Sequence, residues 1–245
     1  MAIEFLSLAD CRLAYQRQVG DKNNPGVLFL SGFASDMEGT KATFLSKRAA
    51  ERKESFVRFD YRACGKSSGD FAKATIGAWF EDTLAVFDQL TEGPQIVVGS
   101  SMGGWLGLML AAARPKRVKA FIGVAAAPDF TENLIWAKLT PAEREKVRRT
   151  GAYHEKGDPG RQTTLTSGLI EEARKHLILN KPFAIPCPVR LLQGMKDLEV
   201  PWEYALRIVQ HITCEDARVT LVKGDHSLST PQDLEMLART IEEFL

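Results

Sequence analysis

The chain has few cysteines, no long apolar run and no excess of either charge. Its four cysteines, Cys11, Cys64, Cys187 and Cys214, lie too far apart for the paired spacing of a zinc or redox site. We therefore expect reduced thiols, no bound metal and a cytoplasmic location. No apolar stretch reaches the roughly 18 residues that a transmembrane helix requires, so we expect no integral membrane association. Residues 1–6 also lack the basic start and apolar stretch of a signal peptide.

The charge balance argues against a nucleic-acid partner. Lysine and arginine total 32 residues against 31 aspartates and glutamates, and neither sign forms a long run. The length of 245 residues suits one large domain covering residues 1–245, and 44% hydrophobic residues are typical of a globular protein. Composition does not indicate an oligomeric state.

Short apolar runs alternate with helical patterns along most of the chain. The runs are rich in β-branched and aromatic residues, which favour strands, and they occupy residues 27–30, 56–59, 95–98, 120–124, 189–192 and 219–222. Apolar residues at helical spacing predict helices over residues 75–90 and 231–245. This alternation predicts an α/β fold with a mostly parallel sheet covered by helices on both faces.

The segment from about residue 128 to residue 182 breaks the alternation. It is charged, has helix-like stretches at residues 140–150 and 167–177, and contains no evident strand, so we interpret it as a small inserted helical cap. It also contains an apolar cluster at helix-like spacing, formed by Leu134, Ile135, Trp136 and Leu139. Trp136 is the candidate substrate-binding residue of this cluster, which either lines an acyl pocket or anchors the cap to the core.

The strongest local motif is GSSMG at residues 99–103. It follows a predicted strand and precedes an apolar helical stretch, which is the context of the G-x-S-x-G nucleophile elbow. Gly99 and Gly103 are small, as the close approach of strand and helix requires. The motif predicts that Ser101 is a nucleophile held in a strained turn.

A serine nucleophile requires a base, and the four histidines are the candidates. His226 directly follows the last predicted strand, where a loop would place it beside Ser101. His154 lies in the cap, His176 in a charged helix and His211 at a helix end. Chain order and position at a strand end therefore favour His226 as the base.

The third member of a triad is an acid that orients the histidine. Asp197 follows the strand at residues 189–192 and lies between Ser101 and His226 in the chain, as this architecture requires. Asp129 follows the preceding strand and is the alternative acid. We favour Asp197, although a loop carboxylate there can also serve only to cap the next helix.

Two backbone N–H groups are expected to form an oxyanion hole. One belongs to Met102, which follows the nucleophile, and the other to Phe33, in the loop after the strand at residues 27–30. Ser31 stands where a histidine usually precedes the glycine of this loop. The backbone donor is retained despite that change.

Longer blocks resemble a family within the α/β-hydrolase superfamily, the mitochondrial palmitoyl-protein thioesterases that also cleave acyl glucuronides, with their bacterial relatives. The blocks cover residues 38–42, 58–61, 93–96, 98–106 and 187–197. GSSMGGWL and CPVRLLQGMKD within them are far longer than a generic elbow. The resemblance implies triad roles for Ser101, Asp197 and His226, and acyl thioesters or acyl glucuronides as substrates.

We therefore predict a serine hydrolase that cleaves carboxylic esters or acyl thioesters through an acyl-enzyme, without cofactor or metal. Its partner would be a small ester or an acylated protein. A serine at the elbow argues against dehalogenase and epoxide-hydrolase chemistry, which need a carboxylate there. A serine peptidase acting on small peptides and a hydrolase-like binding protein remain alternatives.

Overall fold

The computed structural model describes residues 2–154 and 164–245. Its strands are β1 (Glu4–Ser7), β2 (Arg12–Gln18), β3 (Gly26–Leu30), β4 (Phe56–Phe59), β5 (Gln95–Ser100), β6 (Val118–Val124), β7 (Ala152–His154), β8 (Thr164–Thr166), β9 (Phe183–Ala184), β10 (Val189–Gly194), β11 (Ile212–Thr213) and β12 (Ala217–Val222). Its α-helices are α1 (Thr40–Arg52), α2 (Ile76–Leu90), α3 (Met102–Ala113), α4 (Pro141–Thr150), α5 (Ser167–Ala173), α6 (Glu203–His211) and α7 (Pro231–Glu242).

The main sheet is mostly parallel, as predicted. Its eight strands follow the order β1-β2-β4-β3-β5-β6-β10-β12. Only the pairs β1 with β2 and β2 with β4 are antiparallel, and every pair from β4 to β12 is parallel. The prediction of an α/β-hydrolase-type sheet is therefore confirmed, with an antiparallel extension formed by β1 and β2 beside β4 that the sequence pattern had not indicated.

Helices cover both faces of this sheet. In β3, Leu28 and Leu30 point into the core formed with α2 and α3, whereas Val27 and Phe29 point into the core formed with α1 and α7. Successive side chains of a strand point to opposite faces, so a strand covered on both faces reads as a continuous apolar run. All five residues of β3 are buried, which explains the uninterrupted pattern at residues 27–30.

Side-chain caps set the start of several helices. The hydroxyl of Thr75 accepts a hydrogen bond of 3.1 Å from the N–H of Ala78, so α2 begins one residue after the predicted boundary. At α7, Thr230 and Asp233 form a reciprocal capping box with Pro231 in the first turn. These bonds satisfy N–H groups that a helix start otherwise leaves without partners.

The segment predicted as a cap connects β6 to β10. It contains α4 and α5 as expected, but also the antiparallel pair β7 and β8, so the expectation that it lacks strands is wrong. Each of these strands has only three residues, which is too short to produce a periodic pattern. Residues 155–163 of the segment lie outside the described part, and its role as a cap stays a prediction.

None of the described helices is long and apolar enough to cross a bilayer. The longest of them, α2, has 15 residues, whereas a spanning helix needs about 20.

Candidate active site

Four predicted site residues lie at one edge of the sheet. Ser101 directly follows β5, Asp197 follows β10 and His226 follows β12, while Phe33 lies in the loop after β3. These four strands run parallel within the same sheet. Their carboxyl ends therefore meet at one edge, which is where open α/β sheets place their ligand sites.

Ser101 occupies the sharp turn between β5 and α3. Its backbone has φ 53° and ψ −118°, in the left-handed region that costs a non-glycine residue about 1–3 kcal/mol. A side chain at Gly99 would collide with the carbonyl of Gly103, and one at Gly103 would collide with the carbonyl of Leu30. The N–H of Ser101 donates to the carbonyl oxygen of Val124 at 2.9 Å. Tight packing and this hydrogen bond therefore hold the serine in its strained conformation.

The structure brings the side chains of Ser101, His226 and Asp197 together in a continuous hydrogen-bonded chain. Nδ1 of His226 lies 2.8 Å from Oδ2 of Asp197, and Nε2 of His226 lies 3.2 Å from Oγ of Ser101. An ionised carboxylate can only accept, so Nδ1–H donates to Asp197 and Nε2 is left to accept from the serine hydroxyl. This tautomer is the one in which histidine can take the serine proton.

The Asp197 carboxylate is buried and accepts four hydrogen bonds. Besides His226, the amide Nε2 of Gln193 donates to it at 2.9 Å, and the backbone N–H groups of Glu199 and Val200 donate at 2.9 and 2.8 Å. Burial alone would raise its pKa, but the bonds from His226 and the backbone outweigh burial, and the pKa of Asp197 is lowered. The carboxylate therefore stays ionised at neutral pH.

The loops that carry Asp197 and His226 are bound to each other. The N–H of Met195 donates to the carbonyl of Val222 at 2.7 Å, and that of Lys196 donates to the carbonyl of Gly224 at 2.8 Å. The ammonium of Lys41, on α1, donates to the carbonyl of Ser227 beside His226. These contacts connect the two loops and anchor the histidine loop to the helix layer.

Burial lowers the pKa of Lys41, against the opposing charges of Asp225 and Asp233. Its ammonium is therefore partly withdrawn from solvent. In such surroundings a hydrogen bond to a carbonyl oxygen is stronger than it is in water.

The alternative acid, Asp129, serves a different part of the molecule. Its carboxylate accepts bonds of 2.9 and 2.8 Å from the backbone N–H groups of Ile178 and Leu179. Burial raises its pKa, against the lowering effect of those two bonds. Asp129 thus joins the two ends of the segment between β6 and β10, and it is Asp197 that contacts His226.

Two of the other histidines have partners other than Ser101 and Asp197. Nε2 of His176 lies 2.6 Å from Glu172, and Nδ1 of His211 lies 2.9 Å from the carbonyl oxygen of Arg207. The side chain of His154 lies outside the described part of the chain.

The loop proposed to supply an oxyanion donor lies against the serine. A methyl group added at Gly32 would come within 3.9 Å of Oγ of Ser101, so the backbone leading to Phe33 passes beside it. Met102 is the first residue of α3, and the first N–H groups of a helix have no partner within the helix. Both predicted donors therefore lie on backbone adjacent to Ser101, and their role as an oxyanion hole stays a prediction.

The ring of Phe33 belongs to an aromatic cluster beside this loop. Its centroid lies 5.5, 5.7 and 5.6 Å from those of Phe71, Trp79 and Phe130. The hydroxyl of Ser31, the residue that replaces the usual histidine, is buried and has no hydrogen-bond partner among residues 2–154 and 164–245. The aromatic packing of Phe33 therefore supports the loop, and within the described residues the side chain of Ser31 adds no hydrogen bond to it.

Trp136 is half-buried and packs with three guanidinium groups. The Cζ atoms of Arg144, Arg148 and Arg174 lie 5.6, 5.6 and 5.0 Å from its ring centroid, within the range of cation–π attraction. Arg144 also donates to the backbone carbonyl of Trp136 at 3.2 Å. These contacts stabilise the segment itself and do not place Trp136 against Ser101, so its role in substrate binding stays a prediction.

Sequence reasoning missed Gln193. This residue is buried in β10 and donates to both Asp197 and the carbonyl of Val200, at 2.9 and 3.0 Å. Its signal was a polar residue inside an otherwise apolar strand, within the block at residues 187–197. A buried polar group is expected to have a hydrogen-bonding purpose.

A separate cavity of about 170 Å³ lies at the opposite edge of the sheet, lined in part by Arg17, Ser55, Phe56 and Gln95. Ser101, Asp197 and His226 are not among its lining residues. No three His, Cys, Asp or Glu side chains converge as a metal site anywhere in the described ranges.

The family is shown by a match over most of the chain. Residues 27–239 match the model described as the alpha/beta hydrolase family, and the chain therefore belongs to that family. Among curated proteins it is similar to the mitochondrial palmitoyl-protein thioesterase ABHD10 of Mus musculus, with 38% identity over 251 residues, 100% of this chain and 82% of the relative. The human ABHD10 is 36% identical over 252 residues, covering 100% of this chain and 80% of the relative.

Solved structures agree with these matches. Mouse alpha/beta hydrolase domain-containing protein 10 superposes with a TM-score of 0.93 at 36% identity, over 99% of this chain and 98% of that chain. A putative hydrolase from Agrobacterium vitis S4 gives a TM-score of 0.93 at 35% identity, over 100% and 99%. The resemblance inferred from the sequence blocks is therefore confirmed.

The same relatives contradict the predicted cytoplasmic location, because they are named mitochondrial. That prediction rested on the widely separated cysteines. Reduced thiols are not specific to the cytosol, so cysteine spacing does not identify a compartment.

Proposed function

We propose that this hydrolase is a serine esterase and thioesterase that cleaves carboxylic esters or acyl thioesters through an acyl-enzyme. The observation that carries the proposal is the hydrogen-bonded chain from Asp197 through His226 to Ser101, mounted on a strained nucleophile turn. The names of the relatives support a thioester substrate such as an S-palmitoylated protein. Acyl glucuronides are the second ester class that the sequence resemblance implies.

The proposed reaction proceeds in two halves. Oγ of Ser101 bonds to the acyl carbon while Nε2 of His226 takes its proton, and the C–S or C–O bond then breaks as that proton passes to the leaving group. Water next attacks the acyl carbon, gives a proton to His226 and releases the acid, and the proton returns to Ser101. Asp197 remains ionised throughout, which stabilises the protonated imidazole between the two transfers.

The oxyanion formed in each half would lie between the N–H groups of Met102 and Phe33. Met102 begins α3, so the positive end of the helix dipole also points toward Ser101. Losing one such donor costs about 2.7–4 kcal/mol in transition-state stabilisation. Thiolates and phenolates leave with little protonation, whereas an amine must be fully protonated, which favours thioesters and activated esters over amides.

Labelling by a fluorophosphonate probe, combined with a panel of substrates, tests the proposal. The parent protein should label and should hydrolyse acyl thioesters and oxyesters, whereas Ser101→Ala should do neither. Ser100→Ala is the matched control, because Ser100 is the last residue of β5, where its side chain points away from that of Ser101. Preferential cleavage of peptide amides would identify a peptidase, and absence of both labelling and turnover would identify a binding protein.

A further inference from the structure

A second carboxylate approaches the catalytic histidine from the solvent side. Oε2 of Glu199 lies 3.5 Å from Nε2 of His226, the same nitrogen that lies 3.2 Å from Oγ of Ser101. The side chain of Glu199 is 62% exposed, so it lies at the entrance of the site. Its backbone is fixed, because its N–H donates to Asp197 at 2.9 Å.

The protonation state of the histidine decides when this carboxylate acts. While Nδ1–H donates to Asp197, a neutral ring has only a lone pair at Nε2, which offers nothing to a carboxylate. Once the ring has taken the proton of Ser101, Nε2–H is a cationic donor that faces both Glu199 and the atom about to leave. Glu199 and the leaving group therefore occupy neighbouring positions around one nitrogen.

We propose that Glu199 determines specificity by selecting leaving groups for their charge. This inference rests on the proposed function and ranks the acyl thioesters within its substrate class, so that those whose leaving group is neutral or cationic near the scissile bond are cleaved faster. An S-acylated cysteine flanked by lysines is such a substrate. An S-acylated cysteine flanked by glutamates is disfavoured, because its carboxylates approach that of Glu199.

The expected size of the selection follows from distance and exposure. A leaving atom in hydrogen-bond range of Nε2 lies within about 6–7 Å of Glu199, and charges at the ends of flanking side chains lie about 10–15 Å from it. At this separation, in surroundings close to water, exchanging two positive for two negative flanking charges changes the rate about 3- to 10-fold at low ionic strength. High salt should remove the effect, because the Debye length falls to about 3 Å at 1 M.

The experiment compares two S-acyl peptides that differ only in having lysine or glutamate on each side of the acylated cysteine. We expect the parent enzyme to show a kcat/KM about 3- to 10-fold higher for the lysine peptide at about 0.01 M salt, and equal values at about 1 M. Glu199→Gln should abolish most of this preference, and Glu199→Lys should reverse it. Both variants keep the backbone N–H that binds Asp197.

Glu215→Gln is the matched control, because it removes the same charge from an exposed residue before β12, at the opposite edge of the sheet. It should retain the parent preference, and melting temperatures confirm that each variant is folded. If the Glu199→Gln and Glu199→Lys variants are active and keep the parent preference, the proposed role of Glu199 is overturned and the proposed function is not. A parent that neither labels at Ser101 nor cleaves either peptide would refute the proposed function as well.

Discussion

Replacing Asp197 with asparagine tests the proposed triad because it changes one atom and reverses one hydrogen bond. The asparagine oxygen can keep the bonds from the N–H groups of Glu199 and Val200. Its NH₂ group must then take the place of Oδ2, which accepts from both Gln193 and His226. The opposite orientation of the asparagine amide is less favourable, since it points the NH₂ group at the backbone N–H groups of Glu199 and Val200, which are also donors.

The effect on catalysis follows from the tautomer. Nδ1 of His226 can only accept from an NH₂ group, so the ring proton moves to Nε2, which can no longer take the proton of Ser101. Such an exchange in a serine triad lowers kcat by about 10⁴, equivalent to about 5.4 kcal/mol. We expect a decrease of that order in the hydrolysis of an activated ester.

The effect on stability follows from Gln193. Its amide Nε2 would face another donor, and rotating the amide would bring its oxygen against the carbonyl of Val200, to which Nε2 now donates. One buried donor without a partner costs about 1–3 kcal/mol, which lowers the melting temperature of a domain this size by roughly 2–12 °C. Thermal melts followed by circular dichroism measure this shift.

Asp129→Asn is the natural control, because Asp129 is also buried and binds the backbone N–H groups of Ile178 and Leu179 and not His226. It should also lower the melting temperature but leave kcat within a few-fold of the parent value. The reasoning fails if Asp129→Asn abolishes turnover while Asp197→Asn retains it.

Three further predictions concern the turn, its supporting loop and the buried thiols. Gly103→Ala should lower stability by about 1–3 kcal/mol, because its methyl group would overlap the carbonyl of Leu30; an unchanged melting temperature would contradict this packing. Ser31→Ala should alter the unfolding free energy by less than about 0.5 kcal/mol, since its hydroxyl has no partner within the described ranges; a larger loss in denaturant titration would reveal an interaction. Burial raises the pKa of Cys64 and of Cys187 from 9.0 to about 12. The unfolded chain therefore ionises first, and above about pH 9 each thiol should remove up to about 1.4 kcal/mol of stability per pH unit. Melting temperatures from pH 8 to 10 should fall less steeply for Cys64→Ala, and parallel curves would refute the assignment.

Much of the fold could be predicted because its signals are local. The continuous apolar run of β3 indicates burial on both faces. GSSMG indicates the turn around Ser101, because its two glycines are small enough for the close approach of strand and helix. The first two strands, β1 and β2, were missed because they are only partly buried and have a mixed pattern. The pair β7 and β8 was missed because each strand has three residues, and alternation can be recognised only over about four or more.

The sequence by itself determined the class of the molecule and the order of its candidate residues, since strand patterns and the elbow depend on near neighbours along the chain. The sequence left two candidates for the acid that orients the histidine. Only the tertiary structure decided that Asp197 and not Asp129 contacts His226. The contacts of Gln193 and Glu199 likewise depend on how the loops after β10 and β12 meet. A hydrogen bond depends on distances of a few tenths of an ångström between residues far apart in the chain, and no spacing along a sequence encodes such a distance.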